Sequence, residues 1–207
     1  MRKFSSLALL GLAVSAPAFA AEPFNGPYVG ATLGWQQDRL NLSVTDGGVT
    51  QSASATADGL GFGGSLGYDF KLDDSIVLGL EASIGGTTGK LTDGAAPGVS
   101  IKAGRTLGVT GRLGFLAAPE TLVYAKGGYV NGRFSFRDSG DNVSTNKDGW
   151  TLGAGVEQSL TPNISARLEY AYSKFGRFGE SGADIGLDQI SARFTRNEIK
   201  AGVNFRF

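Results

Sequence analysis

The 207-residue sequence contains neither cysteine nor histidine. Without cysteine the chain cannot form disulfides, thiolate metal sites or a cysteine nucleophile. Without histidine it lacks the side chain that most often activates a serine or a water molecule in hydrolases. The spacing of its lysines suggests no substitute base. We therefore expect a protein that is not an enzyme, with no catalytic, cofactor-binding or metal site.

The apolar run at Leu7–Val14 is too short to cross a membrane as a helix, which takes about 20 residues. It follows a basic start and precedes a small-x-small pattern that ends at Ala20. This arrangement indicates a secretory signal peptide. We predict cleavage between Ala20 and Ala21, so that residues 1–20 are removed and residues 21–207 form a single domain.

The sequence also lacks an excess of charge of either sign, since it has 19 basic and 19 acidic residues. Removal of Arg2 and Lys3 with the signal peptide leaves 17 basic against 19 acidic residues. Such a balance gives no global basic surface for nucleic acid. Glycine, in contrast, is abundant: 33 of the 207 residues are glycine, which is about twice the usual share of ~7%.

Eight segments of the mature chain alternate apolar residues with small or polar ones, which is the period of a β-strand. No segment shows the helical period over the length that a helix requires. In the third segment, for example, Leu78 and Leu80 share one face, while Gly79 and Glu81 share the other. The faces of the fifth segment stay unassigned because its alternation is less clean. The segments are 28–36, 60–70, 76–85, 106–115, 122–132, 150–158, 165–173 and 198–207.

The links between these segments alternate between short and long. The short links are 71–74, 117–120 and 159–163, and the long polar ones are 37–57, 87–103, 134–148 and 175–197. Short turns at one rim and long loops at the other are typical of outer-membrane barrels. Segments of about ten residues also suffice to cross a bilayer at a tilt of about 45°. We therefore predict an all-β fold, an eight-stranded antiparallel up-and-down transmembrane β-barrel. The alternation of Leu40, Leu42 and Val44 predicts that the first hairpin extends above the membrane.

The polar face of the segments distinguishes a barrel from a soluble β-sandwich, which also alternates. A sandwich carries many charged residues on its outer face, whereas this face is mostly glycine with single charges. Small residues with isolated charges suit the inside of a narrow barrel. We expect the charges to form structural ion pairs, with a narrow pore as the alternative. They are Glu81, Arg112, Glu157, Arg167, Glu169, Lys200 and Arg206.

The apolar face is predicted to contact lipid, with aromatic residues near the strand ends where interfacial girdles lie. Toward the short-turn rim we place Tyr28, Tyr68, Phe70, Phe115, Phe205 and Phe207, and toward the long-loop rim Trp35, Trp150 and Tyr172. An open sheet edge is not tolerated in hydrocarbon. The eighth strand must therefore pair with the first.

Four stretches give the chain a resemblance to a known family. They are "FNGPYVGATLGW", "GVTGRLGF", "SARLEYAYSKFG" and the closing "KAGVNFRF". In these stretches and their spacing the chain is similar to small outer-membrane β-barrel surface antigens of Gram-negative bacteria, related to the OmpA-like transmembrane domain and the opacity proteins. The resemblance implies the cell outer membrane as location, export through the periplasm, and contact with membrane lipid and lipopolysaccharide.

The resemblance also implies that the last strand is an assembly signal, carried by Lys200, Gly202, Phe205 and Phe207. In the family, barrel-insertion machinery reads this strand, and periplasmic chaperones escort the chain. A second motif, Gly59-x-Gly61-x-x-Gly64, fits a dinucleotide pattern only formally, because a strand rather than a helix follows it.

The loops leave three functional alternatives. The first is a structural surface protein that supports envelope integrity and presents its loops, and the second is a narrow channel for small solutes. The third is an adhesin or ligand receptor, suggested by an apolar last loop that is expected to cover the barrel mouth or meet an extracellular ligand of unknown identity. A metal site at Asp138, Asp141 and Asp148 is not expected, because the spacing is not that of an EF-hand. The apolar residues of the last loop are Phe175, Phe178, Ile185, Leu187, Ile190 and Phe194.

Overall fold

A computed structural model describes residues 22–46, 48–92, 100–138, 141–176 and 189–207. The predicted signal peptide and its cleavage point at Ala20 and Ala21 lie outside these residues. In the described part of the chain, no helix is long and apolar enough to cross a membrane. The strands found there are β1 (Gly26–Asp46), β2 (Val49–Lys71), β3 (Ile76–Thr87), β4 (Lys90–Thr92), β5 (Ser100–Ala118), β6 (Thr121–Asp138), β7 (Asp141–Ser159), β8 (Ile164–Phe175) and β9 (Gln189–Arg206).

Of the nine strands in the described residues, eight close a ring. Each ring strand pairs antiparallel with the next one along the chain, and β3 pairs directly with β5. The ring closes where β1 meets β9, with Tyr28 opposite Arg206 and Thr45 opposite Gln189. The short β4 lies outside the ring and pairs with β5. The predicted eight-stranded up-and-down barrel is therefore confirmed, including the pairing of the last strand with the first.

The turns at one rim are short, as predicted, and side chains hold them. In the turn from β2 to β3, the carboxylate of Asp73 accepts the backbone N–H groups of Ser75 at 2.7 Å and Ile76 at 2.8 Å. Thr161 plays the same part before β8, where its hydroxyl accepts the N–H of Ile164 at 3.0 Å. Side-chain acceptors of this kind fix tight turns by replacing a backbone partner.

At the other rim, two of the predicted long loops are largely strand. β1 and β2 stay in register from the Gly26–Asp69 pair to the Asp46–Val49 pair. The turn between them includes Gly48, whose φ of +79° lies in the left-handed region that favours glycine. β6 and β7 form a similar hairpin that ends at the Asp138–Asp141 pair. The predicted extension of the first hairpin above the membrane is consistent with strands much longer than the ten residues that cross a bilayer.

Alternation places apolar side chains outside the barrel and polar ones inside. On β3, 61% of Leu80 is exposed, but only 3% of the neighbouring Glu81. The structure also resolves the faces of β6: Tyr124 is buried inside, whereas Val123 and Tyr129 are exposed on the outer wall. An exterior this apolar suits lipid rather than water.

The prediction that Tyr28 belongs to the outer aromatic girdle is wrong. Its side chain lies inside the barrel with 1% of its surface exposed. The alternation itself requires this position, because the adjacent Val29 faces outward. Gly67 on β2 leaves room for the ring, since a side chain at that position would overlap Tyr28. The other predicted girdle residues include Tyr68, Phe70, Phe115, Phe205, Trp35 and Trp150, which are exposed on the outer wall.

Candidate functional site: the charged barrel interior

The structure places all seven predicted interior charges inside the barrel, where each takes part in an ion pair. Sequence reasoning missed five further members of the network: Asp38, Asp69, Lys126, Arg196 and Glu198. Among the described residues, interior ion pairs thus join six carboxylates to six cations. The carboxylates are Asp38, Asp69, Glu81, Glu157, Glu169 and Glu198, and the cations are Arg112, Lys126, Arg167, Arg196, Lys200 and Arg206.

Arg112 on β5 lies at the centre of the lower part of this network. Its Nε donates to Asp69 Oδ1 at 2.7 Å and its NH1 to Glu157 Oε2 at 2.8 Å, and a further ion pair joins its NH2 to Asp69. The rings of Tyr28 and Tyr124 each lie 5.1 Å from the guanidinium carbon. Hydrogen bonds in its plane and aromatic faces beside it are the contacts that arginine makes best. Arg112 therefore connects β5 to β2 and β7 across the barrel interior at this level.

Below Arg112, the short-turn end is closed by Arg206 and Phe24. Arg206 NH2 lies 2.9 Å from Asp69 Oδ2 and 3.5 Å from Glu157 Oε1. The ring of Phe24 lies 5.8 Å from the Arg206 guanidinium and is buried. Phe24 has a φ of 59°, a rare value for a residue with a side chain. The segment that carries it thus turns inward and covers the lower opening.

The same segment is fastened to the rim from outside. Lys71 Nζ lies 3.0 Å from Glu22 Oε1. Because Lys71 donates a hydrogen bond to it, the pKa of the exposed Glu22 carboxyl is lowered from its ordinary value. This exposed pair contributes little stability, and the buried ring of Phe24 is the larger contact.

Above Arg112, Lys126 bridges two carboxylates on opposite walls. Its Nζ lies 3.0 Å from Glu81 Oε1 and 2.9 Å from Glu169 Oε2. Arg167 NH1 adds a contact of 2.5 Å to Glu81, and Lys200 Nζ lies 3.3 Å from Glu169 Oε1. Each carboxylate thus has two cations, which offsets much of the cost of burying charge.

The two walls carry matching sets of residues. Tyr28 donates to Glu81 at 3.0 Å, and Tyr124 donates to Glu169 at 3.0 Å. The ring of Tyr124 lies over Gly155 as that of Tyr28 lies over Gly67. Three of the matching pairs are separated by 88 positions along the chain: Gly67 and Gly155, Asp69 and Glu157, Glu81 and Glu169. The two halves therefore face each other around Arg112 with approximate twofold symmetry.

A second group of contacts closes the long-loop end. Arg196 Nε lies 2.7 Å from Asp38 Oδ1, and Gln36 donates to the same carboxylate at 2.8 Å. The buried rings of Phe175 and Phe194 meet edge to face at 5.5 Å, each 5.8 Å from the Arg196 guanidinium. These two members of the predicted apolar loop thus pack inside the mouth. Phe178, Ile185 and Leu187 lie outside the described residues, and Ile190 is the second residue of β9.

Between the two groups lies a cavity of about 80 Å³ that is lined by both polar and apolar residues. This volume is large enough for several water molecules, since one needs roughly 10–15 Å³. Its lining includes Thr32, Thr110, Lys126, Ser173, Arg196 and Lys200. The cavity is small, and the charged residues of its lining belong to the interior ion pairs.

The residues of the predicted assembly signal divide between the two faces of β9. Lys200 belongs to the interior network, and Gly202 faces inward, where a side chain would lie 3.2 Å from Arg167 Nε. Phe205 is exposed on the outer wall, with its ring 5.2 Å from that of Phe207. Recognition of this strand during assembly stays a prediction.

The remaining motifs take structural positions. Gly59, Gly61 and Gly64 lie within β2, so the dinucleotide pattern is part of a strand. Asp148 lies on the outer wall, where it accepts hydrogen bonds from Tyr129 and Asn131. Asp138 and Asp141 form the last backbone pair of the second long hairpin.

Comparison with known proteins agrees with this architecture. The sequence model of one family, described as "Outer membrane protein beta-barrel domain", matches residues 6–207. The 31 kDa outer-membrane immunogenic protein of Brucella melitensis is 28% identical over 204 residues, covering 89% of this chain and 84% of the relative. The 22 kDa outer membrane protein of Rhizobium leguminosarum is 32% identical over 149 residues, covering 71% of this chain and 67% of the relative.

Among solved structures, Neisserial surface protein A has a similar fold, with a TM-score of 0.52 and 19% sequence identity. The superposition covers 84% of this chain and 97% of that one. The family match, the named location of the relatives and the barrel geometry agree with one another.

Proposed function

This chain belongs to the outer-membrane β-barrel family and lies in the cell outer membrane of a Gram-negative bacterium, and from that premise we propose that it is a non-enzymatic surface protein. Its barrel anchors the long hairpins at the outer surface and contributes to the integrity of the envelope. Family barrels place their short turns in the periplasm and their long loops outside, so the long-loop rim faces the exterior.

The observation that carries this proposal is the ion-paired interior around Arg112. A solute path along the axis would have to pass between Arg112 and both Asp69 and Glu157, which bind it within 2.8 Å or less. Removing one partner from a buried ion pair costs about 3–5 kcal/mol. The network therefore favours a closed scaffold over a channel.

Surface presentation is supported by the printed names of relatives. Both the 31 kDa protein of Brucella melitensis and the 25 kDa protein of Brucella abortus are called immunogenic. The long β1–β2 hairpin is the part of this chain that would be exposed at the surface, because its strands continue well beyond the aromatic girdle.

The absence of histidine supports a non-enzymatic role, since hydrolase chemistry would lack its usual base. The interior carboxylates Glu81, Glu157 and Glu169 are each held by cations. A general base must reach the proton that it removes, and these carboxylates are instead engaged by cations inside the barrel.

The partners of assembly are part of the same proposal. Barrel-insertion machinery is expected to read β9 together with Phe207, which follows it and whose ring contacts that of the exposed Phe205. Periplasmic chaperones are expected to hold the chain before insertion, because the strands' apolar faces are unprotected until they meet lipid.

Planar-bilayer recording tests the closed scaffold against the channel. Folded, monodisperse protein is expected to give no reproducible single-channel openings. Regular openings of constant conductance would overturn the proposal and favour the narrow channel, with the 80 Å³ cavity as part of its path. Heat-modifiable migration on a gel serves as the control, because it shows independently that the inserted barrel is folded.

A further inference from the structure

A groove on the outer wall near the long-loop rim combines aromatic rings with charged side chains. It has a volume of about 390 Å³. Its lining consists of Tyr129, Asp148, Gly149, Trp150, Lys174, Phe175, Gly176 and Arg193. The ring of Phe175 packs inside the mouth, and none of the other side chains belongs to the interior network described above.

Strand register explains why these side chains meet. Tyr129 on β6 pairs with Trp150 on β7, which in turn pairs with Lys174 on β8. Residues two apart along a strand share a face. Asp148 therefore lies on the same face, one step farther from the membrane than Trp150. Arg193 is placed likewise, two residues beyond Thr195, the partner of Lys174 on β9.

The depth of the groove places it at the membrane surface. The ring of Trp150 lies 5.7 Å from that of Tyr172, and aromatic pairs of this kind mark the level of the lipid headgroups. Lys174 is two residues farther toward the outer rim than Tyr172. Its ammonium group and the Arg193 guanidinium thus lie where the phosphates of outer-leaflet lipids are found.

The polar groups of the groove indicate a ligand that carries hydrogen-bond donors as well as a phosphate. Asp148 accepts hydrogen bonds from the Tyr129 hydroxyl and, at 2.8 Å, from Asn131 Nδ2. A carboxylate has about four acceptor positions, so Asp148 retains capacity for another donor. Sugar hydroxyl groups are such donors, and Trp150 and Tyr129 offer flat faces beside them.

From this chemistry we propose that the groove binds the phosphorylated saccharide headgroup of a glycolipid in the outer leaflet. Lys174 and Arg193 bind the phosphate, and Asp148 accepts a hydrogen bond from a sugar hydroxyl. Trp150 and Tyr129 pack against the sugar ring and the first methylene groups of the acyl chains. The inference rests on the proposed function in one respect, the outward orientation of the long-loop rim.

Fluorescence titration tests this assignment. The sequence has two tryptophans, so a Trp35→Phe background leaves Trp150 as the only reporter. The full mature chain, folded in neutral detergent micelles, is titrated with bisphosphorylated lipid A. A saturable change in Trp150 fluorescence is expected. The double variant Lys174→Gln/Arg193→Gln is expected to bind ~30-fold more weakly, since each cation near an anionic lipid contributes roughly five-fold in affinity.

The matched control is Arg105→Gln, which removes an exposed cation from β5 near the same rim but outside the groove. Its affinity is expected to equal that of the background. An equal loss in Arg105→Gln would overturn the assignment, because binding would then follow general charge. Equal affinity for phosphatidylglycerol, for dephosphorylated lipid A or for a soluble sulfated polysaccharide would overturn it as well. A folded barrel that conducts no ions but fails to bind refutes the groove alone and leaves the proposed function standing.

Discussion

The hydroxyl of Tyr124 donates a hydrogen bond of 3.0 Å to Glu169 across the barrel interior. The Tyr28–Glu81 pair repeats this contact on the opposite wall at the same distance. Both tyrosines also flank Arg112. The interior is thus built from two similar halves that share one central cation.

The first prediction concerns that hydrogen bond. Tyr124→Phe removes a donor but keeps the ring, so Glu169 retains only its lysine partners Lys126 and Lys200. We expect the free energy of unfolding to fall by about 1–3 kcal/mol, measured by urea titration in detergent or lipid. Tyr170→Phe is the control, because its hydroxyl donates to Asn197 on the exposed outer wall. Equal effects of the two variants would contradict a special role of the interior contact.

The second prediction concerns Arg112. Arg112→Ala leaves Asp69 and Glu157 buried with Arg206 as their shared cation. A loss of about 3–5 kcal/mol is expected, as for other broken buried pairs, and the folded band on a gel should convert at a lower temperature. Arg39→Ala changes the same charge at an exposed position and is expected to leave the conversion temperature unchanged. A stable Arg112→Ala barrel would show that the network is not structural.

The third prediction concerns the space above Gly67. A Cβ atom there would overlap the ring of Tyr28, so Gly67→Ala forces the ring away from Glu81. Overpacking of this kind costs about 1–3 kcal/mol, again read from urea unfolding. At Gly111, in contrast, a Cβ atom would have its nearest neighbour at 3.9 Å, and Gly111→Ala should be neutral. If Tyr28→Ala in the same chain does not rescue Gly67→Ala, the overlap is not the cause.

The fourth prediction tests the lipid-facing wall. Leu80 lies in the middle of β3 and faces outward. Leu80→Arg is expected to destabilise the inserted barrel by about 2–4 kcal/mol, because a cation near the bilayer midplane is costly. Leu72→Arg, in the turn that follows β2, should cost much less. Similar stability of both variants in lipid would mean that the outer wall does not contact hydrocarbon.

Much of the fold could be predicted because, in a strand with period two, assigning one residue to the outer wall or to the interior assigns all the others. The inward position of Glu81 follows directly from the outward position of Leu80. Lys126 was missed because Gly127 and Gly128 interrupt the apolar signal that would have fixed its face. The alternation places Tyr28 inside, because the adjacent Val29 faces outward; an aromatic residue near a strand end need not belong to the girdle when a glycine such as Gly67 leaves room for its ring inside.

Other features could not be read from the sequence for physical reasons. The upper part of β2 carries only polar or small side chains, and residues 50–56 are exposed throughout. A strand in water on both sides has no apolar period, and its sequence resembles a loop. The pair of Asp38 and Arg196 joins residues 158 positions apart. Only the closure of the ring brings them together.

The length of the first hairpin determines how far its tip stands from the membrane. Eleven residues separate Trp35 in the outer girdle from Asp46 at the tip of β1. At about 3.3 Å per residue and the usual tilt of barrel strands, the tip stands roughly 30 Å above the lipid surface. With the long-loop rim outward, as proposed, a large molecule approaching the cell meets Gly48 and Val49 well before it reaches the bilayer, and the ion pairs of the barrel interior lie far beneath this tip.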